Sequence, residues 1–501
     1  MKTPRKRRFG LSKSRITAFE QCPKKLWLSV HRPDLAEWDD AAEARFATGN
    51  AVGDVACSLH PDGVMVEAEP DLSAAIATTQ QLLEEGHRGP IFEATFQHQG
   101  VLVRVDVLSR TRRGKGWHVA EVKSSAGPKD YHHADLATQI WVLRNKGLNV
   151  AGAAIRRVDR DFVLERESDY QGLLTDAELL HDLEPIIAKR AGVVRRAKAV
   201  LAGDEPEQET GDHCLKPFEC EFAAYCNRNM PDGPEWPVTI LPNGGGRKWA
   251  NKGIANLLDL AEEDLSRIHA RILVATRDDV PFHDVKAARE EMAQWRYPRA
   301  WLDFETIAPA VPRWIGTRPY QQVPFQFSLH LEHRNGRISH HEFLSCDGSD
   351  PRLSCAQALV EAIPADATII AYNASFERGV LRDLAGSSRK HRKALLAMAD
   401  NTVDLLPVAR KHWYHRNQRG SWSIKAVLPT LSELDYGALE VKDGGQAQEA
   451  WLEAADPACD PERHFALEQG LRAYCERDTW AMVLVARALA GKRMPCRSDR
   501  F

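Results

Sequence analysis

Between Ile91 and Lys123 the chain alternates apolar and polar residues with period two, and this stretch constrains the fold most. Residues 91–96, 101–107 and 118–123 each line one face with apolar side chains. A helix cannot bury that pattern, because its faces recur about every 3.6 residues. The three runs read as strands of a meander, with Arg112 to Gly116 as a turn. Apolar residues fall at helical spacing over residues 10–60. A helix is expected over 134–145, a strand over 150–156, and a long amphipathic helix over 176–202. Strands interleaved with helices place the chain in the α/β class.

Composition shifts after residue 203. Residues 204–210 are acidic, 214–226 are rich in Cys, and 231–246 are rich in Pro and Gly, which marks a boundary. Residues 250–297 look helical and short. Strand character returns at 297–306 and continues, mixed with helices, to about residue 490. The expected division is therefore a domain over 1–235, a helical connector over 236–297 and a second domain over 298–493. With 43% apolar and 27% charged residues, the 501-residue chain is neither fibrous nor wholly disordered. Lys plus Arg number 67 against 70 Asp plus Glu, a net charge of -3, so any grip on nucleic acid has to come from local patches. No apolar run approaches the ~20 residues of a membrane span. The basic opening, Lys2, Arg5, Lys6, Arg7 and Arg8, has no apolar segment behind it, so no secretory signal is expected and a cytoplasmic location is. Ten Cys in that compartment are expected as thiols, metal ligands or redox groups.

The strands carry chemistry. Asp106 interrupts one apolar strand, and Glu121 and Lys123 share a face of the next. With Asp106 alongside, two carboxylates and the Val122 carbonyl make a hard-oxygen site suited to Mg²⁺ or Mn²⁺. On the following helix, Asp135 and Gln139 are one turn apart and share a face. This set resembles the PD-(D/E)XK nuclease fold, in particular its RecB-like branch. The resemblance implies Asp106 and Glu121 as metal ligands, Lys123 as the residue that orients water or meets developing charge, and Gln139 as the completing side chain. Many relatives also carry an N-terminal His or Glu; here Gly53 stands near that place, and His60 is a poor substitute. Glu93 is a further acid nearby, to which no role is given.

Cys214, Cys220 and Cys226 are evenly spaced, and paired C-x₂-C knuckles are absent. A lone Cys22 lies in Ser14-Arg15-Ile16-Thr17-Ala18-Phe19-Glu20-Gln21-Cys22-Pro23. Four thiolates can hold a [4Fe–4S] cluster, and zinc in the same four ligands is the rival. One early Cys with three late ones resembles the iron–sulfur nucleases of the RecB-like group, which implies a cluster clamping the ends of the nuclease domain. Cys57, Cys346, Cys355, Cys459, Cys475 and Cys496 show no ligand spacing.

In the second half, Asp303 and Glu305 project from one face of an apolar strand, Ala300 to Thr306. Such acids are costly to bury unless paired or metal-bound. A second apolar run, Ile369 to Ala371, leads to Asn373 and to Glu377, expected in a polar loop. Tyr474 and Asp478 sit one helical turn apart. In order, these resemble the D-x-E, N-x-x-F-(D/E) and Y-x-x-x-D motifs of ribonuclease H-like DEDD exonucleases of the tyrosine type. The resemblance implies two divalent ions held by Asp303, Glu305, Glu377 and Asp478, with Tyr474 positioning the attacking water. Glu377 departs from the usual Asp. Asp404 is a nearby spare acid that reads as a helix cap or turn, and residues 420–429 look like the segment preceding the last motif.

Two basic clusters, Arg389 to Lys393 and Arg410 to Arg416, are local. The second contains Trp413 and Tyr414, an arrangement suited to stacking on single-stranded bases. No Walker-type phosphate loop occurs, so motor activity is not expected. The reading at this level is a metal-dependent exodeoxyribonuclease with two sites, acting on single-stranded or free-ended DNA in repair, processing or defence, with partner subunits of such complexes. The alternative is a nucleic-acid-binding or scaffolding protein in which one or both domains are inactive.

Overall fold

A computed structural model describes residues 10–38, 40–69, 71–111, 115–228 and 233–492. The basic opening, the turn residues Arg112 to Gly114 and Cys496 lie outside the described residues. The chain divides into two units: Met1–Met230 with Pro309–Tyr320, and Pro231–Ala308 with Gln321–Phe501. Residues 236–297 thus fall in the second unit.

The first unit runs β1 (Leu11–Ser12), α1 (Lys13–Gln21), α2 (Pro23–His31), α3 (Asp40–Ser58), β2 (Val64–Met65), α4 (Leu72–Glu84), β3 (Ile91–His98), β4 (Val101–Arg110), β5 (Trp117–Lys123), α5 (Asp130–Asn145), β6 (Val150–Val158), β7 (Leu174–Glu178), α6 (Leu180–Ile187), α7 (Arg190–Ala202) and α8 (Ala223–Asn227). Its sheet has the order β2-β3-β4-β5-β6-β7, and β1 joins β4. The period-two residues Val101, Val103, Val105, Val119 and Ile155 pack with Leu136 and Ile140 of α5. On the other face, Phe92, Val107 and Ala120 meet Cys57 of α3. The helix expected over 176–202 is corrected: residues 174–178 form the edge strand β7, paired with β6, and two helices follow it. Residues 309–320 pack here too, with Ala310 beside Val52, Val55 and Val158.

The second unit runs α9 (Gly245–Ala250), α10 (Arg267–Arg277), β8 (Phe282–His283), α11 (Val285–Ala293), β9 (Arg299–Ile307), β10 (Val323–Glu332), β11 (Ile338–Leu344), α12 (Arg352–Ala362), β12 (Thr368–Ala371), α13 (Ser375–Ser387), α14 (Arg392–Asp400), β13 (Thr402–Asp404), α15 (Leu405–His412), β14 (Trp413–Tyr414), α16 (Ile424–Val427), α17 (Gly444–Ala454) and α18 (Pro461–Leu489). The main sheet has the order β11-β10-β9-β12-β13, antiparallel on the β11 side and parallel on the β13 side. Leu302 and Phe304 of β9 pack with Leu359, Val380, Leu381 and Leu395 of α12, α13 and α14. The opposite face meets α18, where Thr479 Oγ1 bonds Ser328 Oγ at 2.8 Å and His330 Nδ1 at 2.9 Å. Every residue of β10 is buried, as a strand covered on both faces requires. Both units are mixed α/β. Among the described residues, no helix is long and apolar enough to cross a membrane.

Candidate active sites and thiol cluster

β4 and β5 pair from Arg110↔Trp117 to Val107↔Ala120 and then part. Asp106 and Glu121 are the next residues on each strand, at the fork. Beyond it β1 lies along β4, Leu11 against Val101 and Ser12 against Leu102, and α1 begins at Lys13. Asp106 Oδ2 accepts the Val122 N–H at 2.7 Å, taking a donor that the ladder leaves. Glu121 Oε1 accepts from Lys13 Nζ at 2.6 Å and Lys123 Nζ at 2.7 Å, while Oε2 accepts from Gln139 Nε2 at 2.5 Å. Asp135 accepts the Thr17 hydroxyl at 2.6 Å and lies 3.6 Å from Lys123 Nζ. The four expected residues, Asp106, Glu121, Lys123 and Gln139, therefore meet.

The electrostatics split the two carboxyls. Burial and then the Glu121 charge push Asp106 up to about 7, against the pull of Lys13 and Lys123. Burial pushes Glu121 up as well, but Lys123 and Lys13 outweigh it and hold its carboxyl below the usual range. Desolvation thus raises one carboxyl, while two ammonium groups lower the other. Gln139 Oε1 is buried without a partner. Ordered hard oxygens and an unsatisfied amide oxygen fit a small divalent cation. His60 is drawn elsewhere: its Nε2 lies 3.4 Å from Arg156 Nη1 and its ring is near Phe92. Glu93, at φ 53, is held by Arg104 at 2.8 Å.

Lys123 and Asp135 line a cleft of about 1620 Å³ within this unit. Arg15, Trp38, Phe46, Lys129, Arg160 and Phe218 also line it, and Trp38 and Phe46 are each 63% exposed.

The same helix that starts at Lys13 ends at Cys22, whose N–H returns to the Ala18 carbonyl at 2.9 Å, and Pro23 opens α2. Cys22, Cys214, Cys220 and Cys226 line one small pocket with Lys24, Lys25 and Phe222. All four are free thiols. Burial pushes the Cys220 thiol up to about 11, and it also raises that of Cys226, with Cys22 and Cys214 adding to the effect. Gln21 Nε2 donates to the His213 and Phe218 carbonyls, both at 2.9 Å, and Lys25 pairs with Glu221 at 2.8 Å. These contacts bind α1 and α2 to the cysteine loop.

In the second unit, β9 pairs with β12 through Trp301↔Ile370. Asp303 and Glu305 lie beyond that pairing, on the α18 side. One donor atom each from Asp303, Glu305 and Cys475 falls within 4.8 Å of the others. Asp478 also feels the site: burial, then Asp478, Glu305 and Glu377, push Asp303 well above the carboxylate range. Burial raises Glu305 to about 8 with help from Asp478 and against Lys425. Burial likewise raises Glu377 to about 8. Glu377 is 2% exposed and its Oε2 has no partner. Tyr436 donates to Asp478 Oδ1 at 2.5 Å, and Lys425 Nζ lies 3.2 Å from the Tyr474 hydroxyl. A dense set of buried acids with an orphan oxygen fits divalent cations, which would remove the repulsion. Glu377 is corrected in one respect: it lies in the first turn of α13, not in a loop. Asp404 caps α15 through the Leu406 N–H at 3.0 Å, as expected.

Lys13, Thr17, Lys425 and Tyr436 complete these sites without having been singled out from the sequence. Cys475, without ligand spacing in sequence, joins Asp303 and Glu305 through the packing of α18. The stacking reading of the second basic cluster is corrected. Trp413 and Tyr414 form β14 and are 6% and 0% exposed, so they have no free face. Lys411 and His412 both meet Glu291, and Arg416 pairs with Asp279 at 2.9 Å.

The two units thus define a mixed α/β protein with two largely buried carboxylate clusters and one group of four thiols. A family model described as "Domain of unknown function (DUF2779)" matches residues 300–423, the part that holds Asp303, Glu305 and Glu377. No curated protein matches the chain.

Proposed function

We propose that the protein is a metal-dependent nuclease with two sites, a PD-(D/E)XK-like one in the first unit and a ribonuclease H-like DEDD one in the second. The observation that carries this reading is that each unit gathers carboxylates from separate elements into a largely buried cluster beside an unpartnered oxygen, Gln139 Oε1 in the first and Glu377 Oε2 in the second. In the first unit Asp106 and Glu121 would hold the ion, and in the second Asp303, Glu305, Glu377 and Asp478 would hold two. Bound there, such ions polarise a phosphoryl oxygen and make water nucleophilic near neutral pH. Gln139 fixes the rotamer of Glu121, and Lys123 places a positive charge where the attacked phosphate becomes more negative. Tyr474, with Lys425 beside its hydroxyl, positions water in the second site.

The first unit's cleft supports single-stranded DNA as substrate, because exposed Trp38 and Phe46 offer stacking faces among Arg15, Lys129 and Arg160. The four cysteines that line one small pocket support a [4Fe–4S] cluster, which takes one thiolate per iron, with zinc in the same four ligands as the rival.

The test compares Lys123→Ala, Asp303→Ala and the double variant on end-labelled single-stranded DNA with Mg²⁺ or Mn²⁺. Each single variant is expected to lose part of the cleavage and the double all of it. A wild type that binds DNA with either metal but cuts none would overturn the enzymatic reading in favour of a binding or scaffolding protein.

A further inference from the structure

Glu121 Oε1 receives two ammonium groups, and only one of them comes from the strand that carries Glu121. Lys123 is two residues along β5, is fixed by the pairing of β5 with β6, and has Asp135 as a second acid at 3.6 Å. Lys13 comes from the first residue of α1. Its Nζ lies 2.6 Å from Glu121 Oε1 and 4.0 Å from Asp106 Oδ1, between the two carboxylates.

We infer that Lys13 is a displaceable placeholder: its ammonium holds the position between Asp106 and Glu121 that a divalent cation takes, and it withdraws when the ion enters. This rests on the metal-binding part of the function proposed for the first site. A hard divalent ion sits about 2.0–2.6 Å from its carboxylate oxygens. An ammonium bonded to Glu121 Oε1 and facing Asp106 occupies that same space, and two cations so close repel strongly in a buried setting.

Charge balance points the same way. With all three carboxyls ionised, as ion binding requires, Asp106, Glu121 and Asp135 against Lys13 and Lys123 leave one negative charge over. A divalent ion added with both lysines in place reverses the sign, whereas withdrawal of Lys13 leaves the group neutral. Lys13 has the means to move. Its four-carbon arm springs from a helix N-terminus, and its neighbours Ser12 and Ser14 line the open cleft. Without the ion, Lys13 relieves the repulsion between Asp106 and Glu121 and keeps the fork assembled. Its role is that of a positioning residue.

The test is a Mn²⁺ titration, read by the loss of the free-ion paramagnetic signal and by melting temperature, in an Asp303→Ala background that disables the second site. Lys13→Met is expected to melt lower without metal and to bind Mn²⁺ about ten-fold more tightly. With Mn²⁺ at saturation, its melting temperature should approach that of the background protein. Lys13→Arg, which keeps the charge on a bulkier head, is expected to bind Mn²⁺ more weakly. Equal or weaker binding by Lys13→Met, tighter binding by Lys13→Arg, or no binding by any of the three proteins overturns the inference. None of these readouts needs cleavage, so a protein that passes them and yet cuts no DNA refutes the nuclease reading alone.

Discussion

Gln139 on α5 and Glu121 on β5 are joined by a 2.5 Å hydrogen bond in a place water does not reach, with exposures of 0% and 1%. The bond spends Glu121 Oε2 on the protein and leaves Oε1 for cations. Gln139→Ala leaves that buried oxygen without a donor, which costs about 1–3 kcal/mol. The measurement is urea unfolding, and an unchanged midpoint would show that the bond contributes nothing.

Stability should depend on pH in a direction opposite to ordinary acid denaturation. Asp106, Glu305 and Glu377 are raised by burial to about 7, about 8 and about 8. A carboxyl raised on folding stabilises the fold fully below its unfolded pKa of about 4, and that contribution is lost as pH rises through the folded value. Glu121, lowered by Lys123 and Lys13 despite burial, works the other way and loses its contribution only as pH falls below the usual carboxylate range. The metal-free protein is therefore expected to melt progressively lower between about pH 5 and about pH 8. Mn²⁺ should reverse the trend and release protons on binding. Calorimetry in two buffers of different ionisation enthalpy measures the protons, and their absence would refute the assignment.

Cys22→Ser tests the thiol group. If iron fills it, the wild type absorbs in the visible through thiolate-to-iron charge transfer and the variant does not. The variant should also melt lower, because Cys22 joins α1 to α2 and both helices are tied to the cysteine loop by Gln21 and Lys25. Metal analysis that returns zinc and no iron would decide for the rival.

Gly420 sits at φ 79, and a Cβ there would run into the Ile240 carbonyl. Gly420→Ala combines left-handed strain with a backbone clash and should cost about 1–3 kcal/mol or more. A thermal shift measures it, and a variant as stable as the wild type would show that the turn relaxes freely.

Much of this was legible in the sequence where local pattern and burial agree. The alternation over residues 91–123 yields β3, β4 and β5 and aims Glu121 and Lys123 together. The alternation of Asp303 and Glu305 against Leu302 and Phe304 does the same for β9. β7 was hidden, because Leu174 to Glu178 is an edge strand with no buried residue, so the neighbouring helical period absorbed it. Lys13 and Thr17 were hidden for another reason: their partners lie 108 and 118 residues away. Trp413 and Tyr414 look like stacking residues when only their basic neighbours are counted. Their burial depends on the pairing of β14 with β8, more than a hundred residues earlier in the chain.

The parting of β4 from β5 just past Val107 and Ala120 also limits how this protein can change. Side chains alternate along a strand, so a one-residue slip in that hairpin would turn Asp106 or Glu121 away from its partner and would carry the apolar side chains of the same strand off the core. The register that buries Val101, Val103 and Val105 is thus the same register that brings the two acids together, so this hairpin cannot lose its chemistry by slipping without also losing its core.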